Sequence, residues 1–342
     1  HLHDFARMTD ALPGHVGDVQ QAVQTAQVHE HTVFGDVLGL AVHERLELHK
    51  NRITPLPGKD GGKRISVVTG IHGDELEGQY AAWLLNRRLM EHPEYLHATV
   101  DIYPAVNPLG INTIQRSIPL FDVDLNRIFP GENGGPAAEY FASEIINDVK
   151  GSDIAVDIHA SNIFLREMPQ VRISEETADA LVPLARLLNV DFVWIYPAAT
   201  VLQSTFACSM NSVGTRCLVV EMGVGMRLTP AYGEQLTEGI LNLMRSEGMW
   251  DGKTHCTHTP LISRDEVAFV NAGAAGIFMA QAQHGSSVKK GQLLGIIADP
   301  LTGNINERVT APADGLLFTL REYPVVYPGS LLARIVTGGS RE

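Results

Sequence analysis

The sequence predicts an α/β protein: a central sheet with helices on both faces, followed by a smaller all-β region. Between residue 64 and about residue 250, apolar strands alternate with helical stretches, which is typical of a layered α/β sheet. Past residue 256 the helical pattern stops, and short apolar runs separated by glycine indicate a small all-β domain. The chain of 342 residues, 44% of them apolar, is long enough for a large core and more than one domain.

The first part of the predicted main domain contains strands, a helix and a long loop that we expect to be functional. Residues 1–50 are polar and contain several histidines, and we interpret them as an arm and an edge hairpin. Strand 65–70 precedes a helix over about 75–92, in which residues spaced i, i+4 and i+7 line one face. Strand 99–103 comes next. The segment 104–136 is rich in Pro, Gly and Asn, and loops of this length in a compact domain are usually functional.

The second half of the main domain continues the alternation. The predicted elements are a helix over about 137–149, a strand ending at His159, a helix over 174–189 with Ser174 as N-cap, a strand over 191–196, a strand ending at Glu221, and a helix from Thr229 and Pro230 to about Gly248. Pro183 is expected to kink or split the helix over 174–189. We therefore assign residues 51–255 to the main domain and residues 256–342 to the all-β domain.

Ionisable side chains follow three of the predicted strands. His72 and Glu75 come directly after the first strand, in the sequence Gly-Ile-His-Gly-Asp-Glu, and His159 and Glu221 each end a later apolar run. Open α/β sheets keep their active sites at the carboxyl ends of the strands. His72, Glu75 and His159 together offer the ligands of a catalytic zinc ion with one coordination position left for water.

Two arginines lie in the segment 104–136. Arg116 follows an Asn-Pro-Leu-Gly sequence, and Arg127 ends the sequence Asp-Leu-Asn-Arg. The guanidinium group is a rigid fork of donors that matches a carboxylate, so the pair can clamp a substrate carboxylate or polarise a carbonyl. For either arginine taken alone, we favour the alternative interpretation, a solvated charge in a surface loop.

These residues carry a family resemblance that covers about residues 64–250 and extends into the C-terminal region. The motifs that carry it, in chain order, are His72-x-x-Glu75, Asn107-Pro108, Arg116, Asp124-Leu125-Asn126-Arg127, Asp157-Ile158-His159 and Val220-Glu221. Their order resembles the zinc carboxypeptidase-like superfamily, and within it the succinylglutamate desuccinylase/aspartoacylase branch. The resemblance implies a mixed rather than wholly parallel sheet.

The resemblance also implies an activity and a set of roles. It implies a zinc-dependent hydrolase that removes the acyl group from a small N-acyl amino acid, with one Zn²⁺ ion per chain at the three ligands above. In that reaction Glu221 is the general base and Arg116 contacts the oxyanion, whereas Asn126 and Arg127 bind a substrate carboxylate. The acyl group stays open between acetyl, succinyl and a larger group. The amino-acid part can be acidic, basic or a diaminobutyrate, which similar bacterial deacylases handle.

Two weaker hypotheses concern residues near this set. Asp157 points to the same face of its strand as His159, and it either orients a ligand histidine or is a structural buried carboxylate. Tyr196 ends a strand and is either a proton donor or substrate contact or, as we favour, a half-buried aromatic residue.

The C-terminal region resembles the biotinyl/lipoyl hammerhead barrel. That family carries its modified lysine in the hairpin turn between the two halves, here about residues 299–306, and this turn contains no lysine. Lys289 and Lys290 lie in another turn. We therefore predict a structural or gating module rather than a carrier domain.

The amino-acid composition limits the classes of molecule that the protein is expected to bind. The 26 basic and 39 acidic residues give a formal net charge of −13, which argues against nucleic acid or an anionic membrane surface. The three cysteines form no metal-spaced set or disulfide framework, and the start of the sequence is not a signal peptide, so the cytoplasm is the expected location. A small-molecule substrate is the expected partner, and homo-oligomerisation stays open.

Three rival hypotheses remain. A carboxypeptidase acting on peptides would use the same metal chemistry, but an all-β domain near the mouth of the site favours small substrates. A non-catalytic metal-binding member of the fold is disfavoured by the complete set of ligands, base and arginines. A different metal, such as cobalt or manganese, is compatible with the same ligands.

Overall fold

The computed structural model describes residues 30–33, 38–39, 43, 45–197, 203–264 and 267–341. Most of the predicted arm over residues 1–50 therefore lies outside the described residues. The described strands are β1 (Glu30–Val33), β2 (Leu38–Gly39), β3 (Arg45–Leu46), β4 (His49–Ile53), β5 (Arg64–Thr69), β6 (Thr99–Tyr103), β7 (Ile154–His159), β8 (Leu165–Ser174), β9 (Phe192–Tyr196), β10 (Arg216–Gly223), β11 (Leu261–Ser263), β12 (Val267–Asn271), β13 (Gly276–Ala280), β14 (Ser287–Val288), β15 (Leu293–Ala298), β16 (Ile305–Thr310), β17 (Gly315–Arg321), β18 (Val325–Val326) and β19 (Leu331–Val336). The described helices are α1 (Glu77–Glu91), α2 (Pro108–Thr113), α3 (Ala137–Val149), α4 (Ala178–Ala185), α5 (Phe206–Ser212) and α6 (Pro230–Ser246).

One mixed sheet organises the described chain, as the resemblance implied. Its strands lie in the order β1-β4-β6-β5-β7-β10-β8-β17-β19-β12, and β9, β11 and β14 pair beside this path. Strands β6, β5, β7 and β10 run parallel to one another, whereas β4 pairs with β6, and β8 with β10, in antiparallel fashion. The carboxyl ends of β5, β7 and β10 therefore lie side by side, and the candidate site is at these strand ends.

Helices pack on both faces of the sheet. Successive strand residues point to opposite faces, so Val67 belongs to one buried cluster and Val68 to the other. The first cluster takes side chains from α1, α4 and α6, whereas the second takes them from α3 and α5. The α/β architecture with helices on both faces, predicted from the alternation, is confirmed.

Some elements differ from their predicted bounds. The helix expected over residues 174–189 is a 3-10 turn, Glu175–Thr177, followed by α4, and Pro183 lies inside that helix. Strand β8 was not predicted at all. Its sequence contains Pro169, which cannot donate to a strand ladder, and its buried side chains include the polar Glu167 and Gln170. These polar side chains interrupt the apolar pattern by which a buried strand is recognised.

The segment 104–136 is folded against the loop that follows β5. It contains α2, capped by the Asn107 side chain, which accepts from the backbone N–H of Gly110 at 2.9 Å. A Cβ added to Gly73 would lie 2.0 Å from the Gly110 carbonyl carbon, so glycine is required where the two loops touch. This contact holds the His72 loop against the segment that carries the arginines.

The C-terminal region is all-β, as predicted. Strands β16, β15, β13 and β18 form a separate sheet, but β17 pairs with β8 of the main sheet. The likeness to a hammerhead barrel stays a prediction, as do the domain boundaries, and the pairing of β17 with β8 crosses the predicted boundary at residue 255. Among the helices described, none combines the length and apolar character needed to cross a membrane.

Candidate active site

His72, Glu75 and His159 come together at the carboxyl ends of the central parallel strands. His72 and Glu75 lie in the loop between β5 and α1, and His159 ends the neighbouring parallel strand β7. One ligand atom from each side chain lies within 4.8 Å of the other two, and all three residues are buried. His72 Nδ1 is 2.7 Å from Glu75 Oε1, and His159 Nδ1 is 3.0 Å from Glu75 Oε2. Both imidazole rings thus direct Nδ1 toward the same carboxylate.

The second nitrogen of each ring contacts an aspartate. His72 Nε2 is 3.1 Å from Asp124 Oδ1, and His159 Nε2 is 3.1 Å from Asp157 Oδ2. Carboxylates in this position orient the ring and fix its tautomer in metal sites. The Asp157 contact agrees geometrically with the hypothesis that it orients a ligand histidine.

In this cluster, the oppositely charged neighbours outweigh the effect of burial on the pKa of each group. Burial alone would lower the pKa of His72 and of His159, but the adjacent carboxylates outweigh burial and raise both pKa values. Burial would raise the pKa of Glu75, but the two histidines hold it far below the usual range. The backbone N–H of Ala160 also donates to Glu75 Oε2 at 3.0 Å.

Two imidazoles and one carboxylate, gathered in a buried cluster, fit a zinc ion by donor type and number. The hydrogen-bonded aspartates behind the rings add the outer contacts that such sites have.

Glu221 lies next to this cluster on β10. In the parallel pairing of β10 with β7, Glu221 is opposite His159. Arg172 Nη1 donates to Glu221 Oε1 at 3.1 Å. Burial raises the pKa of Glu221, although the nearby guanidinium of Arg172 acts in the opposite direction. A carboxylate with a raised pKa holds a proton more readily, which suits a group that must accept one and pass it on.

Arg116 lies between two carboxylates of the site. Its Nη1 donates to Glu75 Oε1 at 3.0 Å and its Nε to Asp124 Oδ2 at 3.2 Å. Burial would lower the pKa of Arg116, but Glu75 and Asp124 raise it. The side chain thus remains a cation beside the cluster.

Asn126 and Arg127 follow Asp124 in a 3-10 turn. The Asn126 Oδ1 atom accepts from the backbone N–H of Phe206 at 2.8 Å, so its amino group is the part that can donate to a ligand. Arg127 is exposed, and its Nη1 donates to the Asn126 carbonyl at 2.8 Å. Both side chains thus present donors near the cluster.

One cavity of about 680 Å³ connects most of these groups. The seven residues singled out from the sequence line it, namely His72, Glu75, Arg116, Asn126, Arg127, His159 and Glu221. Tyr196 also lines it, and burial raises the pKa of this phenol, so it stays protonated. Phe269 and Arg334 reach the same cavity from the C-terminal strands. A second cavity, of about 310 Å³, shares Arg172 and Tyr196 with the first.

Sequence reasoning missed several residues of the cavity wall. Arg172 and Glu167 lie on the unpredicted strand β8, and Arg334 lies on β19, far along the chain. Asp124 belongs to the Asp-Leu-Asn-Arg motif, but no role was predicted for it. Aspartate often begins a turn by accepting from a nearby backbone N–H, and this preference was the available sequence signal. In the structure, Asp124 accepts from the backbone N–H of Asn126 at 2.9 Å.

Comparison with known sequences gives one family. A profile for the succinylglutamate desuccinylase/aspartoacylase catalytic domain matches residues 61–246. A curated relative, the N-alpha-acetyl-L-2,4-diaminobutyric acid deacetylase of Halomonas elongata, is 25% identical over 287 residues, or 80% of this chain and 82% of the relative.

Solved structures show the same fold. A succinylglutamate desuccinylase/aspartoacylase from Rhodobacter sphaeroides superposes with a TM-score of 0.75 at 22% identity, covering 91% of this chain and 94% of its own. The product-bound ectoine utilization protein EutE (DoeB) from Ruegeria pomeroyi also gives 0.75, at 21% identity, over 91% of this chain and 95% of its own. A metallo-carboxypeptidase from Burkholderia cenocepacia gives 0.51 at 15% identity, covering 66% of each chain.

Proposed function

Since the chain belongs to the succinylglutamate desuccinylase/aspartoacylase family, we propose that it is a zinc-dependent deacylase that hydrolyses the amide bond of a small N-acyl amino acid. The observation that carries the proposal is the cavity in which three candidate zinc ligands, the partly buried Glu221 carboxylate and a set of donors face one another. The curated relative, named for N-acetyl-diaminobutyrate, makes that compound the first substrate to test.

His72, Glu75 and His159 would hold the zinc ion. When bound there, zinc supplies Lewis-acid chemistry, which polarises a carbonyl group and makes water easier to deprotonate. Asp124 and Asp157 would keep the two imidazole rings turned with Nδ1 toward Glu75, the third proposed ligand.

Glu221 would serve as general base and then as general acid. Its carboxylate takes a proton from the attacking water and passes that proton to the amine nitrogen as the amide C–N bond breaks. The products are a carboxylate and a free amine. Its place on the strand beside His159 and its raised pKa support this role.

The remaining donors would orient the substrate. Arg116, whose guanidinium lies beside Glu75, would contact the negative oxygen that develops on the carbonyl carbon. Arg127 and the amino group of Asn126 would bind the substrate carboxylate. Holding the amide in this orientation contributes to the rate by proximity.

The test is amine release from a defined pool. Nα-acetyl-2,4-diaminobutyrate, other N-acetyl and N-succinyl amino acids, and short peptides are incubated with the protein and followed by mass spectrometry, with and without a chelator. Loss of one acyl amino acid that stops with chelator and returns with Zn²⁺ is the expected result. Release of C-terminal residues from the peptides instead would establish a carboxypeptidase. No hydrolysis by zinc-loaded protein would contradict the proposal.

A further inference from the structure

The carboxylate of Glu167 is buried where the main sheet meets the C-terminal strands. It lies on β8 with no exposed surface. Its Oε1 accepts from Arg172 Nη2 at 3.2 Å and from Arg334 Nη1 at 2.7 Å. Its Oε2 accepts from Gln170 Nε2 at 2.9 Å and from the Thr319 hydroxyl. A fully buried carboxylate is costly unless it is paired and hydrogen-bonded, and here four side chains satisfy it.

Arg172 connects this carboxylate to Glu221. Its Nη2 donates to Glu167, and its Nη1 donates to Glu221 Oε1 at 3.1 Å. The guanidinium also lies over the Trp194 ring, 5.6 Å from the centroid. Because the fork is planar and rigid, holding one nitrogen against Glu167 determines where the other nitrogen lies.

The C-terminal strands provide two of the groups that hold Glu167. Thr319 of β17 is opposite Glu167 of β8, and Arg334 of β19 is opposite Thr319. Phe269 of β12 is opposite Arg334 in turn, and its ring lies 5.6 Å from the guanidinium. Four neighbouring strands thus place these side chains in one row that leads to the catalytic cavity.

We propose that Arg172 is a positioning residue for Glu221, and that Thr319 and Arg334 of the C-terminal strands keep it in place through Glu167. Arg172 contacts Glu221 through Oε1, so Oε2 is the oxygen left to take a proton from water. Without Glu167, Arg172 would be free to form a two-pronged pair with Glu221 and occupy both oxygens. The inference rests on the proposed function only in naming Glu221 as the base.

The kinetic test uses the full-length, zinc-loaded protein. Glu167→Gln keeps the shape of the side chain and removes its charge, and Thr319→Val removes one donor while keeping the branched shape. We expect kcat to fall about 10- to 100-fold in Glu167→Gln, by analogy with the range found when hydrogen-bonded partners of metal ligands are lost, and less in Thr319→Val. KM and zinc content should stay close to wild type, whereas the melting temperature of Glu167→Gln should fall, because Arg172 and Arg334 lose a buried counter-charge. Arg334→Met should resemble Glu167→Gln, and Arg334→Lys should recover much of the loss.

Arg308→Met is the matched control, because Arg308 is an exposed arginine of the same all-β region. It should keep wild-type kcat. Unchanged kcat in a folded Glu167→Gln protein would overturn the inference, as would a rise in KM alone, which would assign Arg172 and Glu167 to substrate binding.

Crystal structures of the wild type and of Glu167→Gln give a readout that needs no substrate. We expect the Arg172 guanidinium to leave position 167 and contact both oxygens of Glu221. An unmoved Arg172 would overturn the inference. If the wild type hydrolyses nothing in the pool, the proposed function fails, and this comparison still decides whether Glu167 positions Arg172 against Glu221.

Discussion

At the scale of single residues, the candidate site is a set of direct contacts in which Glu75 lies between His72 and His159, and Arg172 donates to one oxygen of Glu221. His72, His159 and Glu221 could be predicted, because each follows or ends a local apolar run, which indicates the carboxyl end of a strand. Arg172 could not be found in this way. Its partner Glu221 is 49 positions away, and only the antiparallel pairing of β8 with β10 brings the two together.

Glu221→Gln tests the proposed base. We expect turnover to fall about 10²- to 10⁴-fold, because the amide cannot accept a proton from water. Zinc content should be unchanged, since Glu221 is not one of the three proposed ligands. The measurement is kcat together with metal analysis, and Glu94→Gln, at an exposed position, is the control. Near-normal turnover would remove Glu221 from the mechanism.

Arg127→Ala tests the proposed carboxylate clamp. Hydrogen bonds to charged groups contribute about 1.5–3 kcal/mol, so KM for an N-acyl amino acid should rise roughly 10- to 150-fold. The corresponding substrate amide, which lacks the carboxylate, serves as the control and should show little difference between wild type and variant. Equal KM values for the acid in both proteins would show that Arg127 does not bind the carboxylate.

At the scale of elements, the alternation of strands and helices was readable because each has its own apolar period. Helix α3 matches its predicted bounds, and α6 begins at Pro230 as expected. Strand β8 was not readable, because partners from other strands and from the C-terminal region satisfy its polar residues. Glu167, for example, is held by Thr319 and Arg334. Local pattern does not report contacts of that range.

Helix α6 packs closely against a neighbouring turn, and Gly239 makes this possible. A Cβ at this position would lie 1.9 Å from the Leu188 carbonyl oxygen, a backbone atom that cannot rotate away. We expect Gly239→Ala to lower the free energy of unfolding by about 1–3 kcal/mol, the usual cost of overpacking, despite the better helix propensity of alanine. Urea denaturation measures this change. Glu234→Ala, at an exposed position of the same helix, should change stability by less than about 0.5 kcal/mol.

At the scale of the whole molecule, backbone pairing between β17 and β8 joins the C-terminal strands to the main sheet. Thr319, Leu320 and Arg321 of β17 pair with the first residues of β8. We therefore expect residues 51–341 to unfold in one cooperative transition rather than two. Calorimetry tests this, and two resolved transitions would show that the all-β region is an independent unit.

Zinc should contribute to the stability of the same unit. A ligand that binds only the folded state at 100 times its Kd adds about 2.7 kcal/mol to the free energy of unfolding. Removing zinc with a chelator should therefore lower the melting temperature, and adding Zn²⁺ back should restore it. A His159→Ala variant is the control and should show no response to chelator. An unchanged melting temperature in the wild type would argue against a tightly bound metal.

The pairing of β17 with β8 has a consequence for any shortened form of this chain. A fragment ending near residue 255 would leave unpaired the backbone groups of residues 165–167 that face β17, and the open sheet edge would include the apolar Leu165. Open edges of this kind recruit strands from other molecules. Such a fragment should therefore accumulate as aggregates even though the proposed zinc ligands and Glu221 are all present in it.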